Sequence, residues 1–179
     1  MGDKEILDKF RDAATKEHGF TLLVRKYQER LYWHIRRMVV DHDDANDVLQ
    51  NAFIKIWKGM ENFREEAQLY TWLYRIASNE SITFLNSKKK KMAVPMDGVS
   101  NYLAQTLTTG NNFTGDEIQL KLQKAILELP DKQREVFNLR YYDEMPYEEM
   151  SEVLGTSVGA LKASYHHAAK KVEEFLLNH

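Results

Sequence analysis

The side chains best placed to do chemistry lie between Asn62 and Lys91. Tyr70 and Tyr74 stand one helical turn apart, Arg75 and Asn79 follow at the same spacing, and Lys88 to Lys91 close the run. Aromatic rings beside cations suit a surface that stacks unpaired bases and follows phosphates. The plainer alternative is an ordinary helix with half-buried tyrosines and a solvated lysine run. A second set lies near the C-terminus. From Ser157 to Lys171 there is no acidic residue, and the polar positions are Ser157, Lys162, Ser164, His166, His167, Lys170 and Lys171. A helix stripped of carboxylates suits contact with phosphates; the alternative is a helical hairpin that only packs.

Covalent chemistry finds no support. The six histidines never fall into a His-Glu-x-x-His spacing. Asp41-x-Asp43 lacks the glycine and glutamate of a calcium loop. There is neither a glycine-rich phosphate loop nor a nucleophile elbow. The chain has no cysteine, which removes disulfides and thiolate metal sites. No catalytic residue, metal, cofactor or small-molecule substrate is therefore expected. His34 reads as a hydrogen-bonded core residue. Trp33, Trp57 and Trp72 read as core, with the edge of Trp72 supporting the base-stacking surface.

Charge is uneven. The formal net charge is -2, but residues 1–91 carry 17 Lys and Arg against 14 Asp and Glu, and residues 116–179 carry 8 against 12. Contact with a polyanion must come from local patches. No apolar run approaches the roughly 20 residues of a membrane span, and the N-terminus opens with charge. A soluble, cytoplasmic protein is expected.

The pattern that must position these groups is helical throughout. Ile6, Leu7, Phe10 and Ala14 mark a short first helix, and a break is expected at His18-Gly19. Phe20, Leu23, Tyr27, Leu31, His34, Ile35 and Met38 mark a long second helix, with a turn at 41–44. Ala45, Val48, Leu49, Ala52, Phe53, Ile56 and Trp57 give a third, with Gly59 as its stop. Its other face, Asn46, Asp47, Gln50, Asn51 and Lys55, is rich in short polar groups. Leu69, Trp72, Leu73 and Ile76 stripe the fourth. Residues 92–115 show no sustained period and read as a flexible interdomain linker with a helical turn at 102–107. From Asp116 a second helical block begins, with Asp131 expected as a cap and Pro146 in the first turn of a short helix. Gly155-Thr156-Ser157 separates that helix from a last one capped by Ser157, which is the helix-turn-helix pattern. The expected fold is all-α: two small helical domains, 1–91 and 116–179, joined by the linker 92–115.

Several segments together resemble one family, the bacterial sigma factors of the extracytoplasmic-function type within the sigma-70 family. Asp44-Ala45-Asn46-Asp47-Val48-Leu49-Gln50-Asn51-Ala52-Phe53 resembles that family's polymerase-binding helix. Phe63-Arg64, Tyr70-Thr71-Trp72-Leu73-Tyr74-Arg75-Ile76-Ala77 and Asn79 resemble the element that melts and reads the minus-ten promoter DNA. Leu129-Pro130, Gln133-Arg134, Val136-Phe137, Tyr147-Glu148-Glu149-Met150 and Leu154-Gly155-Thr156-Ser157-Val158-Gly159 resemble the domain that reads the minus-thirty-five element. The matches cover both domains in the family's order. Asn51 stands where the family usually has an acidic residue, Ser164 and His167 where arginine is frequent, and Asn86 where another basic residue is frequent.

The resemblance implies a promoter-recognition subunit rather than an enzyme. Its partners would be bacterial core RNA polymerase, promoter DNA and an inhibitory anti-sigma factor, often membrane-anchored. Asp44, Asp47, Val48, Gln50, Asn51 and Phe53 would meet the polymerase. Asn62, Phe63, Arg64, Tyr70, Trp72, Tyr74, Arg75, Asn79, Lys88 and Lys89 would hold the minus-ten strand. Arg140, Ser157, Gly159, Lys162, Ala163, Ser164, His166, His167 and Lys170 would read the upstream duplex. The competing reading is a stand-alone helix-turn-helix regulator whose N-terminal domain only oligomerises or senses. The polar third-helix face and the aromatic fourth helix argue against it, since such a regulator needs neither.

Overall fold

A computed structural model describes residues 1–92, 96–108 (side chains from Tyr102 onward) and 115–179. Among them are nine α-helices and no strand: α1 Asp3–Arg11, α2 Lys16–Val39, α3 His42–Gly59, α4 Leu69–Met92, α5 Met96–Thr108, α6 Glu117–Leu127, α7 Asp131–Tyr141, α8 Tyr147–Leu154 and α9 Val158–Asn178. A single 3-10 turn, Met60–Asn62, follows α3.

The expected break at Gly19 is absent, and α2 runs straight through it. The glycine serves close approach instead. A Cβ there would lie 2.6 Å from the Phe10 backbone nitrogen, so only a bare backbone lets α1 lie against α2. At the far end of α2, Val40 adopts φ 73, unusual for a β-branched residue. Arg36 steadies the turn by donating from Nε to the Val40 carbonyl at 2.5 Å. Asp41 then caps α3, accepting from the Asp44 backbone N–H at 3.0 Å, so residues 42–44 open the helix instead of forming a separate turn. α3 ends at Gly59 as expected, in ordinary right-handed backbone; a Cβ would stand 3.0 Å from the Trp72 ring.

In the C-terminal block Asp116 caps α6 and Ser157 caps α9 through their side chains. Asp131 does not cap α7, because its carboxylate binds Lys89 at 2.5 Å and Arg134 at 3.3 Å. Gly155 ends α8 with φ +66, the left-handed conformation glycine adopts without cost. Residues 92–115 carry a full helix, α5, longer than the turn expected at 102–107, with Leu103 and Leu107 buried.

The two blocks pack face to face. α4 lies against α2, α3 and α8, and α7 reaches α2. One buried cluster continues from Ile6, Leu23, Ile35, Leu73 and Leu85 into Val136, Leu139, Met150 and Val153. A smaller cluster, Ala125, Ile126, Leu129, Phe137, Ala168 and Val172, holds α6, α7 and α9 together. Arg134 lies wholly buried at the junction, where Nη2 donates to the Met38 carbonyl at 3.2 Å.

Candidate nucleic-acid interface

On α3, Asp47, Gln50 and Asn51 are exposed on one side, and Val48 is buried behind them. Phe53 is half-buried, its ring edge-on to Phe20 at 6.3 Å. Burial pushes the Asp44 carboxyl up, with Lys88 opposing. Ile54, 48% exposed, extends the polar face by one turn; sequence reasoning assigned it to neither face.

The loop into α4 is pinned from both sides. Asn62 and Arg64 are exposed, but the Phe63 ring lies on Trp72 with centroids 4.9 Å apart. Arg11 donates to the Phe63 carbonyl at 3.3 Å. Trp72 is half-buried, so it joins core and surface. Trp33 departs from the core expectation at 46% exposed, because its ring lies beside Tyr32 on the outer side of α2.

Along α4, Arg75 and Asn79 are exposed and Tyr70 is half-buried. Tyr74, expected on the same open surface, has no exposed area. Its hydroxyl donates to Asp143 at 3.2 Å, and burial with that carboxylate pushes the phenol up to about 12. Thr71 lies 3.0 Å from Glu152. Lys88 sits over the Phe84 and Tyr102 rings, and Lys89 is held by Asp131, so half of the lysine run is engaged. His34 is a buried, hydrogen-bonded residue as expected, with Nε2 2.7 Å from the Ser78 hydroxyl. Burial, with Arg37 nearby, lowers its pKa to about 3.

The last helix faces outward. Ser157, Gly159, Lys162, Ala163, His166, His167 and Lys170 are exposed, and Ser164 is partly so. Arg140 donates to the Met145 carbonyl at 3.2 Å and lies over the Tyr147 ring at 4.8 Å; Lys162 approaches the same ring at 5.8 Å.

This arrangement agrees with the family comparisons. Residues 23–91 match the model "Sigma-70 region 2" and residues 119–172 the model "Sigma-70, region 4". The RNA polymerase sigma-H factor of Pseudomonas aeruginosa is 30% identical over 97% of this chain and 93% of its own. This chain is a sigma-70 family member of the extracytoplasmic-function type. The sigma factor is also similar to the ECF RNA polymerase sigma factor SigW of Bacillus subtilis, 29% identical over 89% of this chain and 90% of that protein. Two solved structures share the fold. CnrH in complex with the cytosolic domain of CnrY superposes with TM-score 0.70 at 21% identity, over 97% and 96% of the two chains. RpoE in complex with the anti-sigma factor NepR from Bartonella quintana gives 0.67 at 20% identity, over 88% and 96%.

Two residues of the sigma factor that sequence reasoning passed over contact the candidate interface residues. Arg30 on α2 lies over both Tyr70 and Tyr74, at 5.5 and 5.7 Å. Tyr147, the first residue of α8, gathers Arg140 and Lys162. The sequence displays Arg30 only as one of several basic residues, with Arg25, Lys26, Arg36 and Arg37, off the apolar stripe of the second helix. Which helix they would meet is a tertiary fact.

Proposed function

We propose that this sigma factor directs core RNA polymerase to promoters through three surfaces, two carried by residues 1–91 and one by residues 116–179, with 92–115 as the linker between them. In this reading Asp44, Asp47, Gln50, Asn51 and Phe53 dock on the polymerase, with Val48 holding the helix from behind. The loop 62–68 with Tyr70, Tyr74, Arg75, Asn79 and the lysines at 88–91 captures the melted minus-ten strand. Trp72 and Phe63 set the shape of that loop. α9 enters the upstream major groove, with Arg140 on a phosphate and Lys162, His166 and His167 toward base edges.

The observation that carries this reading is the pair Tyr70 and Tyr74 overlaid by Arg30, together with an outward helix free of carboxylates over its first four turns. Stacking on one tyrosine is worth about 1–3 kcal/mol, and opening a stacked pair costs a few kcal/mol. No single residue melts the duplex; polymerase and phosphate contacts supply the rest. The polymerase carries the covalent chemistry, and the sigma factor works beside it in the cytoplasm. Because CnrH was solved with the cytosolic domain of CnrY and the Bartonella RpoE with the anti-sigma factor NepR, we also assign this chain a protein inhibitor of the anti-sigma class that covers its two DNA-facing surfaces.

The test is transcription reconstituted from core polymerase and this chain, with starts mapped genome-wide. Discrete starts sharing two spaced upstream elements are expected. Random starts, or none beyond core alone, would refute the assignment.

A further inference from the structure

Where α2, α4 and the α7–α8 turn meet, polar side chains surround one spot. Arg30, His34 and Arg37 line one face of α2, against Tyr70, Tyr74 and Ser78 of α4. The Asp143 carboxylate enters this row. Tyr74 donates to its Oδ1 at 3.2 Å, Arg37 Nη1 lies 3.7 Å from the same oxygen, and His34 Nδ1 lies 3.9 Å from Oδ2. The fit is loose. Arg37 Nη1, His34 Nδ1 and Asp143 Oδ2 are all buried and lack hydrogen-bond partners, although buried polar groups are normally satisfied. The two longer gaps exceed hydrogen-bond reach. A carboxylate is therefore smaller than the seat. A phosphate group has its oxygens spread more widely and tetrahedrally, and a strand stacked along Tyr70 and Tyr74 would bring one there.

We propose that Arg37 and the Tyr74 hydroxyl, flanked by Arg30, form a seat for a backbone phosphate of the captured single strand. Asp143 is the internal ligand that fills this seat until the C-terminal block moves away. The inference rests on the strand-capture reading and extends it: Arg37 becomes a DNA contact, and closure becomes competition for one anion site. The Lys89–Asp131 pair, about four turns further along α4, repeats the same logic, a carboxylate of the C-terminal block on a cation of α4.

The test uses the full chain. It has no cysteine, so dyes placed through Asn86→Cys and Glu128→Cys report the separation of the blocks. The ligand is labelled single-stranded oligo-dT of about 12 nucleotides, within the range single-strand binders cover. Asp143→Asn is expected to separate the dyes and tighten binding roughly ten-fold, because apparent affinity scales with the open fraction. Adding Arg37→Gln should cancel the gain and lower the slope of log K against log salt by about 0.7, one phosphate's share. Arg37→Lys should keep that slope. If Asp143→Asn does not fold, Tyr74→Phe serves: it removes the donor to Asp143 and should separate the dyes, and Arg37→Gln on that background should again lower the slope. An open protein whose slope ignores Arg37→Gln, or an Asp143→Asn protein that stays closed and binds no better, overturns the proposal. Start-site mapping separates the two levels. Discrete promoters with a failed oligonucleotide result reject the seat alone, whereas no promoter selection rejects the function itself.

Discussion

His34 and Glu135 both lean on Ser78 from opposite blocks, and burial drives them in opposite senses. His34 falls from 6.5 to about 3, so its contribution is present above pH 6.5 and is lost as pH falls toward 3. Glu135 rises from 4.5 to about 7, chiefly through burial, so its contribution is present below pH 4.5 and is lost as pH rises through 7. Between those limits the two slopes oppose each other. Glu135→Gln removes one of them. Its melting temperature relative to the parent is expected to climb from pH 5 to pH 8, as read by thermal scans at both pH values. A constant difference would mean that Glu135 is solvated in solution.

At the scale of elements, the α1–α2 pair depends on one missing methyl group. Gly19→Ala gains about 1 kcal/mol of helix propensity, but it drives a Cβ to 2.6 Å from the Phe10 nitrogen. Overpacking of this kind costs about 1–3 kcal/mol or more, so a net loss in denaturant midpoint is expected. α3 should behave oppositely. Asp47 and Gln50 are exposed, so Asp47→Lys with Gln50→Ala should leave the melting curve within about 0.5 kcal/mol of the parent while abolishing co-purification with core polymerase. Retained co-purification would place the docking face elsewhere. In the helix-turn-helix, Arg140→Ala is expected to weaken upstream duplex binding on every sequence, and His167→Ala to change preference at particular bases. Binding to a library of upstream duplexes separates the two patterns.

At the scale of the whole molecule, the arrangement treats the two proposed DNA faces differently. The exposed side of α9 is free, whereas Tyr74 and Thr71 are covered by α8 and the α7–α8 turn. If Tyr74 captures the strand as proposed, the blocks must part, and we infer that polymerase binding supplies the energy. Leu103 and Leu107 lie buried on α5, which touches both α4 and α6. Amides at 102–107 should accordingly exchange slowly in the free chain and faster once polymerase is bound. Tyr70, half-buried under Arg30, is available first. Tyr70→Ala should spare polymerase binding and closed complexes, reduce open complexes, and recover on a template premelted at the minus-ten bubble. Equal impairment on the premelted template would make Tyr70 a residue of fold or docking.

Local signals determined much of this protein. Apolar periodicity marked the helices, Ser157 stood where a short polar side chain closes exposed N–H groups, and Gly155 marked the turn before α9. His34 was legible as core because it lay on an apolar stripe. These features depend on neighbours within a turn or two, which a sequence displays directly. What failed was whatever depends on a surface from far along the chain. Gly19 reads as a breaker until α1 lies across it, and Asp131 reads as a cap until Lys89 and Arg134 claim its carboxylate. Tyr74 reads as part of an open DNA face until Asp143 arrives from 69 residues away. Periodicity says that a face exists; only the tertiary structure decides what covers it, because packing between distant helices is set by shape and charge on both partners at once.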